Sequence, residues 1–102
     1  MAKFVYVYAG GSRAETPDAQ DQQMQAWMSW LAGLGDAVTD TGAPFGASVT
    51  VKSGGSAAGT VSALGGYTIV EAESLDAAAG KADGCPILAS GGTVEVYEAL
   101  SM

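Results

Sequence analysis

Histidine is absent from this 102-residue chain, cysteine occurs once, and only four side chains carry a formal positive charge. Each shortage closes a class of function. Without histidine there is no His-based catalytic triad, no imidazole general base and no His-ligated zinc site. The single thiol, Cys85, cannot close an internal disulfide, a composition that fits a reducing cytoplasm. Lys3, Arg13, Lys52 and Lys81 stand against 11 acids, for a net charge of −7. That balance cannot neutralise a run of phosphates, which excludes nucleic-acid binding through the backbone and docking on anionic membranes. Long apolar runs are missing too. The first apolar stretch ends at Gly10-Gly11, too short and too aromatic for a signal peptide, and no run is long enough to span a bilayer.

What is present builds one small domain. An apolar fraction of 48% lies in the globular range, and a chain of this length has material for a single core. Residues 4–9 alternate aromatic and β-branched side chains and read as a strand. Thr16 and Pro17 announce a helix as N-cap and first residue, with Asp18 and Asp21 near its positive end. Met24, Trp27, Met28, Leu31, Leu34 and Val38 recur on one stripe of it. Gly33 and Gly35 weaken the last turns, and Gly42 with Pro44 stops them. A second strand is expected from about Phe45 to Lys52 with Val49 and Val51 inward. Residues 53–62 read as a Gly/Ser/Ala-rich hairpin loop. Tyr67–Ala72 is a third strand. Ser74 caps a short helix carrying Leu75, Ala78, Ala79 and Ala82 on one side, which Gly84 closes and Pro86 keeps from resuming. Thr93–Ala99 is a fourth strand.

The order is β-α-β-β-α-β, the α+β plan called ferredoxin-like: a four-stranded antiparallel sheet with two helices on one face. No linker or charge shift marks a second domain. Two helices cover one side of the sheet, yet the first strand is apolar on both. Either Phe4, Tyr6 and Tyr8 face outward, or Val5, Val7 and positions like Val70 do. Both arrangements favour a homodimer joined sheet face to sheet face.

Gly66-Tyr-Thr-Ile-Val-Glu-Ala-Glu-Ser-Leu-Asp-Ala-Ala, Ala82-Asp-Gly-Cys-Pro-Ile-Leu and Gly91-Gly-Thr-Val-Glu-Val resemble the YCII-related family. The Tyr-rich first strand, its Gly-Gly turn, Ala26-Trp-Met-Ser-Trp-Leu and the Gly42-Ala43-Pro44 stop extend the likeness over nearly the whole chain. The resemblance implies a ferredoxin-like protomer pairing as a dimeric α+β barrel. It also implies kinship with muconolactone isomerase-like enzymes and small monooxygenases. A His–Asp pair is the proposed acid–base site in the family's better-known branch. Its histidine falls near Trp27 here and is therefore missing, while the acid at the second helix exit has a counterpart in Asp83. Fold kinship alone licenses no activity.

Five residues are candidates for a ligand pocket: Tyr8, Arg13, Trp27, Trp30 and Asp83. Trp27 belongs to the apolar stripe, and Trp30 stands at its edge with an indole N–H to mark the polar end of a ligand. Their ordinary role is packing between helix and sheet. Tyr6, Tyr8, Tyr67 and Tyr97 lie on three neighbouring strands, where a phenol can donate to a carbonyl but more often fills core or interface. Arg13 follows the first strand and suits a carboxylate, although loop arginines are commonly solvated. Asp36 and Asp40, four apart near the first helix end, oppose its dipole, and solvated acids are the plain reading. Glu71 and Glu73 read as the wet face of a strand. Cys85, with no cation closer in sequence than Lys81, reads as a buried inert thiol. The expectation is a cytoplasmic homodimer without metal, cofactor, nucleic-acid or membrane partner, binding a small apolar or carboxylate-bearing molecule. The alternative is a cofactor-free enzyme of the muconolactone isomerase-like or small monooxygenase-like kind.

Overall fold

A computed structural model describes residues 2–10, 15–58 and 64–100. The elements run β1 (Ala2–Ala9), α1 (Pro17–Leu34), a 3₁₀ turn (Gly35–Ala37), β2 (Val38–Pro44), β3 (Val49–Lys52), β4 (Gly55–Ala58), β5 (Leu64–Ala72), α2 (Leu75–Ala82), α3 (Pro86–Ala89) and β6 (Thr93–Ala99). Four strands form one antiparallel sheet in the order β2-β5-β1-β6, the ferredoxin-like arrangement.

Alternation along β1 decides which face is the core. Phe4, Tyr6 and Tyr8 are buried beneath the helices, beside Thr68, Val70 and Ala72 of β5 and Ala78 and Ala82 of α2. The intervening Val5 and Val7 therefore face the opposite side, where their cross-strand neighbours are Ile69, Tyr67, Tyr97 and Glu95. Val70, expected on that open side in one of the two arrangements, pairs with Phe4 in the core instead. Capping chemistry works as the residue types dictate. Thr16 Oγ1 accepts from the Ala19 N–H at 3.1 Å, and Ser74 Oγ accepts from the Ala77 N–H at 3.1 Å.

Several expectations need correction. The first helix stops at Leu34, because Gly35 turns the chain out of the helix with φ +59°. The second sheet strand is consequently Val38–Pro44, not Phe45–Lys52. Val49 and Val51 point to solvent from β3, which pairs only with β4 in a separate two-stranded sheet. The hairpin expected over 53–62 turns at Ser53-Gly54, and Gly55–Ala58 is its return strand. On α1 the inward stripe runs through Gln23, Trp27, Trp30 and Leu34, while Met24 and Met28 are each 64% exposed. Along α2 only Ala78 and Ala82 are buried; Leu75 and Ala79 are exposed. Pro86, finally, opens a further turn of helix at its favoured first position.

No residue of α1 is fully buried. The helix meets the core through Trp27, Trp30 and Leu34. Side chains of that bulk prop it away from the sheet, and the standoff leaves a groove.

Candidate functional site

The groove, about 740 Å³, lies between α1 and the β2–β5 edge of the sheet. Gln20, Gln23, Met24, Trp27 and Leu31 form its helical wall. Thr41–Pro44 and Gly65–Thr68 form its strand wall, with Tyr8 and Ile87 between them. Among the described residues these walls carry no lysine, arginine, aspartate or glutamate.

The strand wall owes its form to β2. From Val38↔Val70 the register slips at Thr39, then again after Asp40↔Ile69, so that Thr41 and Gly42 oppose Thr68 alone. Gly42, at φ +75°, is pressed so close to β5 that a Cβ there would lie 1.6 Å from the Tyr67 carbonyl oxygen. Asp40 stabilises the turn by accepting the Gly42 N–H at 2.8 Å, and its other carboxylate oxygen accepts the Tyr67 hydroxyl at 3.5 Å. That is a structural use for Asp40, in a strand and not at a helix end. Asp36 sits in the 3₁₀ turn, so the expected pairing of the two acids on one helix does not occur.

The bulge frees the Thr41 carbonyl, which accepts the Thr68 hydroxyl at 3.1 Å. Tyr8 in turn donates its hydroxyl to Thr68 Oγ1 at 2.7 Å. Thr68 lies directly opposite Tyr6 in the sheet, and Tyr8 reaches it along the diagonal. The Tyr8 ring meets Trp27 edge to face with centroids 4.9 Å apart, giving the groove an aromatic corner.

Of the five sequence candidates, Tyr8 and Trp27 meet in the groove. Trp30 stands behind them, its ring 6.1 Å from Tyr6 and 5.7 Å from Trp27. Its indole N–H donates to the Lys81 carbonyl at 3.3 Å, which caps α2, and it lines a shallower depression on the other side of α1. Asp83 is the exposed C-cap of α2 and lines neither hollow. Arg13 lies outside the described residues. The four strand tyrosines do not converge: Tyr6 and Tyr8 face the helices, whereas Tyr67 and Tyr97 belong to the open side. Thr41, Thr68, Gln20 and Gln23 are the groove residues the sequence reading passed over. Thr68 had a signal, a hydroxyl on the apolar face shared by Val70 and Ala72.

The family model for the YCII-related domain matches residues 1–102, the whole chain. The chain belongs to that family. No curated protein and no solved structure matches it. In this YCII-related chain no three Cys, Asp or Glu side chains among the described residues are grouped as a metal ion would require. No described helix is long and apolar enough to cross a membrane.

Burial controls the titratable groups of the core. Desolvation pushes the Tyr6 phenol up to about 12, with a smaller contribution from Cys85. The Cys85 thiol, 3% exposed, is pushed up to about 11, although a backbone hydrogen bond at Ile87 opposes the rise. Desolvation also raises Tyr8, against the lowering effect of its bond to Thr68. The groove phenol and the buried thiol are therefore neutral at neutral pH, and Cys85 is a poor nucleophile. All three groups are higher in the folded protein than in the unfolded chain, so folding favours their protonated forms. That contribution is complete below the ordinary thiol value of 9.0 and is lost as pH rises through 11 and 12. Urea midpoints are thus expected to fall steadily above pH 9; a midpoint that rises across this alkaline range contradicts the burial of these groups.

Proposed function

We propose that this YCII-related protein is a homodimer that binds a small, mostly apolar molecule in the groove under α1. The observation that carries the binding reading is the groove's composition: an aromatic corner of Trp27 and Tyr8, apolar walls, and a polar relay on its floor. Sites of this volume with few convergent polar groups are the usual form of ligand pockets. Binding is favoured over turnover because the described lining holds no lysine, aspartate or glutamate to serve as a general base. An isomerase-like reaction moves a proton at the reacting atoms, and the Tyr8 proton is committed to Thr68.

Native mass spectrometry of protein purified from its own cells tests this reading. We expect a retained organic molecule that is lost when Leu31→Trp fills the groove. An adduct that survives Leu31→Trp, or none at all, argues against it.

Pairing is supported by the side of the sheet that no helix covers. There Val5, Val7 and Ile69 are half-exposed, Phe45 is 46% exposed and stacks on Tyr67, and Tyr97 is 58% exposed. A continuous apolar surface bordered by Lys3, Glu71 and Glu95 suits a self-complementary two-fold contact.

A further inference from the structure

The direction of the hydrogen bonds on the groove floor has a consequence for what the groove accepts. A peptide carbonyl only accepts, so the bond between Thr68 and the Thr41 carbonyl must use the single hydroxyl proton of Thr68. Thr68 Oγ1 then has only lone pairs for Tyr8, and the 2.7 Å bond between them uses the single proton of Tyr8. The relay runs one way, from phenol to hydroxyl to backbone. Tyr8, at the head of the relay, is one of the residues lining the groove, and the hydrogen-bonding capacity left on its oxygen is acceptor capacity alone.

We propose, building on the small-molecule reading above, that the groove selects neutral, ring-bearing molecules that donate a hydrogen bond. It discriminates against anions and against molecules that only accept. Three features of the site converge on this. The Tyr8 oxygen welcomes an O–H or N–H and repels an ether or ketone oxygen. Tyr8 and Trp27 lie at 77° to each other, so a flat ring can stack on one while meeting the edge of the other. A carboxylate would enter a groove whose described walls hold no cation, in a chain of net charge −7, and an unpaired charge is costly to desolvate. Gln20 and Gln23 carry the amide groups of the α1 wall, but they are more exposed than Thr68 and Tyr8, so the polarity of the floor governs the deepest part of a ligand.

The relay also predicts how the preference can be inverted. Thr68→Val removes the acceptor that holds the Tyr8 proton, leaving the phenol free to donate into the groove. Tyr8→Phe removes the acceptor itself.

Titration calorimetry of the full chain with 2-naphthol, 2-methoxynaphthalene and 2-naphthoate at neutral pH tests the proposal. These probes share a ring system and differ in donor, acceptor and charge. We expect 2-naphthol to bind at least tenfold more tightly than the other two. In Thr68→Val the ratio of naphthol to methoxynaphthalene affinity should fall to about one or below, a change that mere loosening of the groove, which weakens both alike, does not produce. In Tyr8→Phe naphthol should weaken to the level of methoxynaphthalene. The second variant keeps the test decisive if the first fails to fold. Equal binding of naphthol and methoxynaphthalene to the wild-type protein, tighter binding of naphthoate, or an unchanged ratio in the variants overturns the polarity and leaves the groove a binding site. If none of the three probes binds, the small-molecule reading falls and the polarity falls with it.

Discussion

Gly42→Ala is expected to remove most of the stability of this protein. The substitution meets two penalties at one position. A φ of +75° costs an alanine about 1–2 kcal/mol. The larger penalty is steric: the new Cβ would sit 1.6 Å from the Tyr67 carbonyl oxygen and 2.5 Å from its carbon. Both are backbone atoms of the adjoining strand, so no side chain can move aside. Relief requires β2 to part from β5, with loss of the bonds that Asp40 and Thr41 accept from Tyr67 and Thr68. Together these amount to several kcal/mol, a large share of the roughly 5–15 kcal/mol that holds a domain folded. Gly33→Ala is the matching control. That glycine lies inside α1 on its exposed side with nothing within 4 Å of an added Cβ. Its replacement should raise stability by about 0.5–1 kcal/mol. Urea unfolding of both variants measures the contrast, and a Gly42→Ala midpoint at the wild-type value would mean that β2 does not take this path.

The double variant Tyr6→Ser/Tyr8→Ser should show no cooperative unfolding transition, whereas Val7→Asp, between them on the same strand, should remain folded and become monomeric. Tyr6 and Tyr8 occupy the centre of the core, where Tyr6 donates to the Ala78 carbonyl and Tyr8 to Thr68. Truncating one large buried aromatic costs about 3–5 kcal/mol, and two such losses match the whole stability of a small domain. Val7 faces the other side of the sheet, beside Tyr67 and Glu95. A carboxylate there adds charge to an already acidic surface and should cost little within one protomer, whereas in the proposed dimer it would face its own copy across the two-fold axis. Thermal melts followed by circular dichroism, with sedimentation velocity, separate the two outcomes. A folded dimer in Val7→Asp moves the pairing surface elsewhere, and a cooperative melt in the double variant contradicts the assignment of the two faces.

The parts of the fold that were legible in the sequence are those in which one local rule acts alone. Alternation along residues 4–9, 67–72 and 93–99 marked three of the four sheet strands. Thr16 and Ser74 marked two helix starts to the residue. β2 escaped because an edge strand with two register shifts buries little. Val38-Thr-Asp-Thr-Gly-Ala-Pro has no alternation to read, and Pro44 is tolerated only because it stands at an edge. Periodicity found α1 but misjudged its rotation. Six apolar residues leave a broad stripe, and the choice of Trp30 over Met24 and Met28 is made by tertiary partners, Tyr6 and the Lys81 carbonyl. For the groove, Tyr8 and Trp27 stood out as residue types. The relay did not, since it depends on a carbonyl that only the bulge turns toward Thr68.

Where the chain leaves the sheet after Pro44 and returns at Leu64, its two feet are fastened: the Phe45 N–H donates to the Gly65 carbonyl at 2.9 Å. The described part of the excursion between them is the β3–β4 hairpin, which stands apart from the four-stranded sheet. Because loop-closure entropy grows only by about 0.6 kcal/mol for each doubling of length, this detour is where the domain can gain or shed residues through evolution, or carry a grafted peptide, with the four strands of the main sheet left in register.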